Sequence, residues 1–142
     1  MNPSRVVLLL GIAAAGFVLQ ASGADKDTKK EGGRVFELRT YYAAEGKMDA
    51  LNARFRDHTC RLFEKHGMTL IGFWTPNKPE DAQKKLVYML AFPSKEAADK
   101  SWKEFRSDPD WIAVAKESEK KGRLVTRIES TYLNPTDYSP MK

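Results

Sequence analysis

One cysteine, two histidines and no long apolar run beyond Val6–Leu19 limit what this 142-residue chain can be. With Cys60 alone, no intramolecular disulfide can form. His58 and His66 are eight residues apart, about 12 Å along a helix axis, so they cannot share one metal ion, and no zinc-ligand cluster exists elsewhere. The chain also lacks a glycine-rich nucleotide loop and a Gly-x-Ser-x-Gly elbow. Its net charge is +5, but acids and bases alternate, as in Lys103-Glu104 and Glu117-Ser118-Glu119-Lys120-Lys121. No one-sided basic stripe is present, which argues against nucleic acid as a partner.

What is present begins with a leader. Met1–Arg5 carries one positive charge, Val6–Leu19 is apolar and uncharged, and Ala21-Ser22-Gly23-Ala24 follows before the polar Asp25-Lys26-Asp27. That is the order of a secretory signal peptide over residues 1–24. The apolar run falls short of the ~20 residues a spanning helix needs, so cleavage, export to the periplasm or medium, and no membrane attachment afterwards are expected. No cysteine ends the leader, which argues against a lipid anchor. Removing it takes away Arg5 and leaves +4. Residues 25–33 read as a flexible polar linker, and residues 34–142 as one domain. A small exported domain without a disulfide depends on its core or on oligomerisation. Cys60 is either a free thiol or pairs with its twin, which requires Cα atoms within ~7 Å.

The domain reads strand–helix–strand–strand–helix–strand. Val35–Tyr42 alternates as a strand. Gly46 opens a helix whose apolar stripe is Met48, Leu51, Phe55, Leu62 and His66, and Gly67 ends it as a left-handed cap. Met68–Thr75 and Lys85–Phe92 are strands joined by the proline-rich loop Pro76–Asp81. Ser94 caps a helix that buries Ala98, Ser101, Trp102 and Phe105. Asp108-Pro109 restarts it, so the second helix is broken in two, and Gly122 ends it. Arg123–Leu133 is the last strand, followed by an extended tail over Asn134–Lys142.

Both faces of the middle strands are apolar: Met68, Leu70 and Trp74 against Ile71 and Phe73, then Leu86, Tyr88, Leu90 and Phe92 against Val87, Met89 and Ala91. Two apolar faces need two covers. Helices supply one, and a second copy's sheet is the natural other, so a homodimer is expected. Glu37 and Arg39 share one face of the first strand, Arg127 and Glu129 one face of the last. If the registers align, the four form one polar patch, most simply cross-strand ion pairs. His66 lies on the apolar stripe near the helix end, as a capping histidine does. His58 sits at the stripe's edge and could face a cavity. Tyr41, Trp74, Trp102 and Trp111 are large aromatics near element ends, usually core residues.

Five short runs stand in order along this pattern: Phe36-Glu37-Leu38-Arg39-Thr40-Tyr41, His66-Gly67-Met68, Gly72-Phe73-Trp74, Asp108-Pro109-Asp110-Trp111 and Pro135-Thr136-Asp137-Tyr138-Ser139-Pro140. From about Arg34 to Pro140 the chain resembles the NIPSNAP family. The resemblance implies an α+β, ferredoxin-like βαββαβ protomer that pairs into a dimeric α+β barrel. The family offers no catalytic signature that maps onto residues here. By analogy with barrels of related architecture, a helix–sheet cleft walled by Trp74, Trp102 and His58 would hold a small hydrophobic or aromatic ligand without a cofactor. The alternative is a cofactor-independent monooxygenase or a haem-binding or haem-degrading enzyme, with His58 as ligand or base and Arg39 or Tyr41 orienting the substrate. A third reading is a protein-interaction module acting through its surface and the Asn134–Lys142 tail.

Overall fold

The structure, a computed structural model, describes residues 33–142. The proposed leader and nearly all of the linker lie outside the described residues. The chain runs β1 (Val35–Ala43), α1 (Met48–Arg54), a π-helical turn (Phe55–Thr59), α2 (Cys60–Lys65), β2 (Thr69–Trp74), α3 (Pro79–Ala82), β3 (Lys85–Phe92), α4 (Lys95–Ser107), α5 (Pro109–Ser118) and β4 (Val125–Leu133). The strands form one antiparallel sheet in the order β2-β3-β1-β4. Two crossovers place β1 and β3 in the centre, and the longer helices cover one face. This is the ferredoxin-like α+β arrangement that the element order implies.

The helix ends follow local chemistry. The Ser94 hydroxyl accepts from the Ala97 N–H at 3.1 Å, and Asp108 accepts from the Asp110 N–H at 2.8 Å with Pro109 opening α5. At Gly67 (φ +74°) the Gly67 N–H reaches the Glu64 carbonyl and the Met68 N–H the Phe63 carbonyl. These bonds satisfy carbonyls that the ending helix leaves bare. Between α1 and α2 the Cys60 N–H bonds back five residues to the Phe55 carbonyl, and the Thr59 hydroxyl to the Arg54 carbonyl at 3.2 Å. The wider turn lets consecutive residues Arg54 and Phe55 both be buried.

Phe55 joins an aromatic core under the helices. Tyr41, Phe55, Phe63, Phe73, Tyr88, Trp102 and Phe105 meet mostly edge to face, with centroids 4.9 to 6.1 Å apart. That geometry suits the ring quadrupoles. Phe73 enters this core because the β2–β3 register shifts between Leu70 and Gly72: Leu70 pairs with Leu90 and Phe73 with Tyr88. Sequence alternation placed Leu70 and Phe73 on opposite faces; a bulge puts them on the same one. The other sheet face carries Leu38, Val87 and Met89, half-buried, and the tail folds over its Phe36 end. Strand β4 is exposed along most of its length on both faces.

Candidate functional site

Strand β1 sends Glu37, Arg39 and Tyr41 under the helices, an unusual set for a buried face. Glu37 is 1 % exposed and accepts three hydrogen bonds: from Arg39 Nη1 at 2.6 Å, Ser130 Oγ at 2.6 Å and Trp102 Nε1 at 2.5 Å. The Arg39 guanidinium lies 4.3 Å from the Trp102 ring and 5.6 Å from the Tyr41 ring. A buried carboxylate of this kind is tolerable only with such a full set of donors. Next along this face, burial pushes the Tyr88 phenol well above its usual pKa, so it stays protonated. Arg39 Nε and the Tyr88 hydroxyl are buried without a hydrogen-bond partner.

At the Tyr41 end the space between helices and sheet opens into a cleft of about 370 Å³. Tyr41, Trp111, Ala115, Val125 and Ile128 give it apolar walls, Arg54 and Glu119 line it, and Arg123 and Arg127 stand at its rim. Arg54 reaches it from the last turn of α1 with its side chain only 6 % exposed. Its Nη1 has two long contacts, 3.4 Å each, to Ser118 Oγ and Glu119 Oε1, and its Nε has no partner. The guanidinium also lies 5.3 Å from the Trp111 ring. A larger groove of about 560 Å³ runs on the outer side between α1 and α5, lined by Ala53, Arg54, Asp57, His58, Glu117 and Ser118 among others, so Arg54 borders both openings. The outer groove has no aromatic wall.

The five candidate residues therefore divide. Arg39, Tyr41 and Trp102 meet on the helix side of β1. Trp74 pairs with Val87 on the opposite sheet face, is 50 % exposed and lies flat over Gly72, where a Cβ would come 2.5 Å from Trp74 Cζ2. His58 is exposed and lines the outer groove. A cavity walled jointly by Trp74, Trp102 and His58 is thus not formed: the Trp102 region is filled by Phe63 and Phe105, and the opening lies at the α5–β4 end. The four-charge patch divides as well. Register pairs Arg127 with Tyr42 and Glu129 with Thr40, so their 2.7 Å ion pair lies on the face away from Glu37 and Arg39.

His66 Nε2 lies 2.6 Å from Asp108 Oδ2, tying the end of α2 to the start of α5. Neither histidine lines the cleft, so it offers no imidazole to a haem iron. Among the described residues no group of three or more histidine, cysteine or acidic side chains is placed to hold a metal ion. Arg54 escaped the sequence reading because a lone arginine beside an apolar stripe reads as solvated.

The fold and this cleft define a protein of the ferredoxin-like α+β class with a helix–sheet opening. The NIPSNAP family model matches residues 36–140, and the chain belongs to that family. Solved structures agree in fold. A NIPSNAP family protein with unknown function from Agrobacterium tumefaciens is 20% identical, with 78% of this chain and 96% of that one covered and a TM-score of 0.66. A second from the same organism is 21% identical, covering 77% and 99%, at 0.67. An uncharacterized NIPSNAP-like domain protein from Burkholderia xenovorans is 16% identical, covering 77% and 90%, at 0.66. No curated protein sequence matches the chain significantly.

Proposed function

We propose that this NIPSNAP protein binds a small hydrophobic or aromatic molecule in the cleft between α5 and β4. The observation that carries the reading is the aromatic and aliphatic wall, Tyr41, Trp111 and the 48 % exposed Ile128, around about 370 Å³ of open space. That volume lies within the ~300–1,000 Å³ typical of ligand pockets, and the apolar wall is accompanied by the charged Arg54, Glu119 and Arg123. Trp111 reports occupancy directly. Titration of the full chain with aromatic fragments should quench or shift its fluorescence, and Trp111→Phe should abolish the response. A response unchanged in that variant would place binding elsewhere.

The protein works, in this proposal, as a homodimer paired through the open sheet face. Leu38, Val87, Met89 and the exposed Trp74 on that face support it, as does β4, uncovered on both sides. Light scattering should give the dimer mass at micromolar concentration; a stable monomer contradicts it. Cys60 sits in the helix layer, away from this face, which disfavours a disulfide across the two-fold axis. Export by cleavage near residue 24 completes the proposal, and N-terminal sequencing of the secreted or periplasmic protein tests it.

A further inference from the structure

Among the described residues, Arg54 is a buried cation whose partners are incomplete. Its side chain is 6 % exposed, and among the described residues its one ion pair within 4 Å is with Glu119 at 3.4 Å. That carboxylate is itself about one-third exposed, and the same Oε1 also accepts from the Leu124 N–H at 3.3 Å. A buried guanidinium ordinarily sits in a short, often bidentate pair, at about 2.7–2.9 Å. Here Nη1 has only stretched contacts and Nε has no acceptor, and Arg54 lines the cleft beside Trp111 and Glu119 as well as the outer groove beside Ser118. A buried polar group without its partner is energetically unfavourable and calls for a physical reason. The arginine packs on Trp111 just before the π-helical turn, with Nη1 weakly engaged and Nε unpaired.

We infer that the ligand of this cleft is an aromatic carboxylate, its ring between Tyr41, Trp111 and Ile128 and its carboxyl group on the Arg54 guanidinium. The inference rests on the cleft being the binding site and adds the charge and the anchoring atom. A planar fork of N–H donors matches a carboxylate's two oxygens, and a guanidinium is easier to keep in an apolar site than an ammonium. A phosphate group would ask for more donors than one buried arginine offers. Arg54 and Arg123 outnumber the single acid Glu119 in the lining, Arg127 being paired with Glu129, and that balance favours the approach of an acid over a base. The cleft, near the low end of ligand-pocket volumes, suits one or two fused rings.

The test pairs acids with neutral analogues. Benzoic, 2-naphthoic and indole-3-acetic acids, each beside its primary amide, are titrated into the full chain and followed by ligand-observed NMR. At least one acid should bind roughly tenfold or more tightly than its amide, the usual scale for a charge-assisted pair. Arg54→Gln should remove the preference while leaving amide binding in place. If that variant does not fold, the wild-type protein still decides: the acid should shift the Arg54 Nε–H resonance and its amide should not. Equal affinities for acid and amide, with cleft resonances responding to both, overturn the carboxylate and leave the cleft as the site. No binding by either class across the panel overturns both.

Discussion

Replacing Glu37 by leucine strands a cation in the core. The carboxylate is the shared acceptor of Arg39, Ser130 and Trp102, all within 2.6 Å, and Arg39's own side chain is 15 % exposed. Ser130 can turn its hydroxyl to another partner, and Trp102 loses one neutral-donor bond. Arg39 keeps its charge in an environment that no longer balances it. Breaking a buried pair from one side costs about 3–5 kcal/mol. For a domain of about 110 residues each kcal/mol moves Tm by roughly 4 °C, so a fall of roughly 12–20 °C is expected. Replacing both members, Glu37→Leu with Arg39→Leu, removes the stranded charge and should restore much of the loss, to within about 2 kcal/mol of the parent. Urea and thermal unfolding followed by circular dichroism measure both variants. A double variant as unstable as the sum of its single variants would refute the reasoning, because the pair would then not be the unit of stability.

Three further outcomes follow from particular contacts. Gly67→Ala should cost about 1–2 kcal/mol in unfolding free energy, since the added Cβ meets only Ser101 Oγ at 3.8 Å and the penalty is that of the left-handed backbone alone. Hydrogen bonds from Lys65 and then His66 hold the Asp108 carboxyl below its usual range. Its stabilising effect is therefore complete above the ordinary carboxylate pKa and is lost as pH falls below about 4; Asp108→Asn, which can still cap α5, should flatten the stability curve there, and an unchanged acid limb would contradict this. Burial, and then Glu64, push the Cys60 thiol above its usual pKa, so alkylation by iodoacetamide at pH 8 should be slower in the native than in the unfolded protein; equal rates would show an open thiol.

What the sequence disclosed follows a physical line. Ser94, Asp108-Pro109 and Gly67 act on neighbouring backbone groups, so their meaning is local and readable without a fold. The strands were readable for the same reason: β3 spans Lys85–Phe92 as its alternation predicts. Faces were less readable, because parity depends on pairing. The bulge after Leu70 turns Phe73 inward, and the β1–β4 register sets Arg127 and Glu129 opposite Tyr42 and Thr40 rather than beside Glu37. The four-residue helix α3 was hidden in a loop whose prolines suggested only irregular chain. In the candidate site, Arg39, Tyr41 and Trp102 came from one strand and one helix stripe and do converge. Trp74, Trp102 and His58 were grouped by analogy with other barrels, and of the five candidates only Tyr41 lines the cleft. Arg54 depends on how closely α1 and α5 approach, a tertiary fact that helical periodicity alone does not carry.

The most direct test of the ligand-binding cleft is native mass spectrometry of the protein purified from the cells that make it. The account predicts a dimer carrying a reproducible small acid, lost in parallel from the Trp111→Ala and Arg54→Gln variants. A bare mass in every preparation, or an adduct that both variants retain, would contradict it.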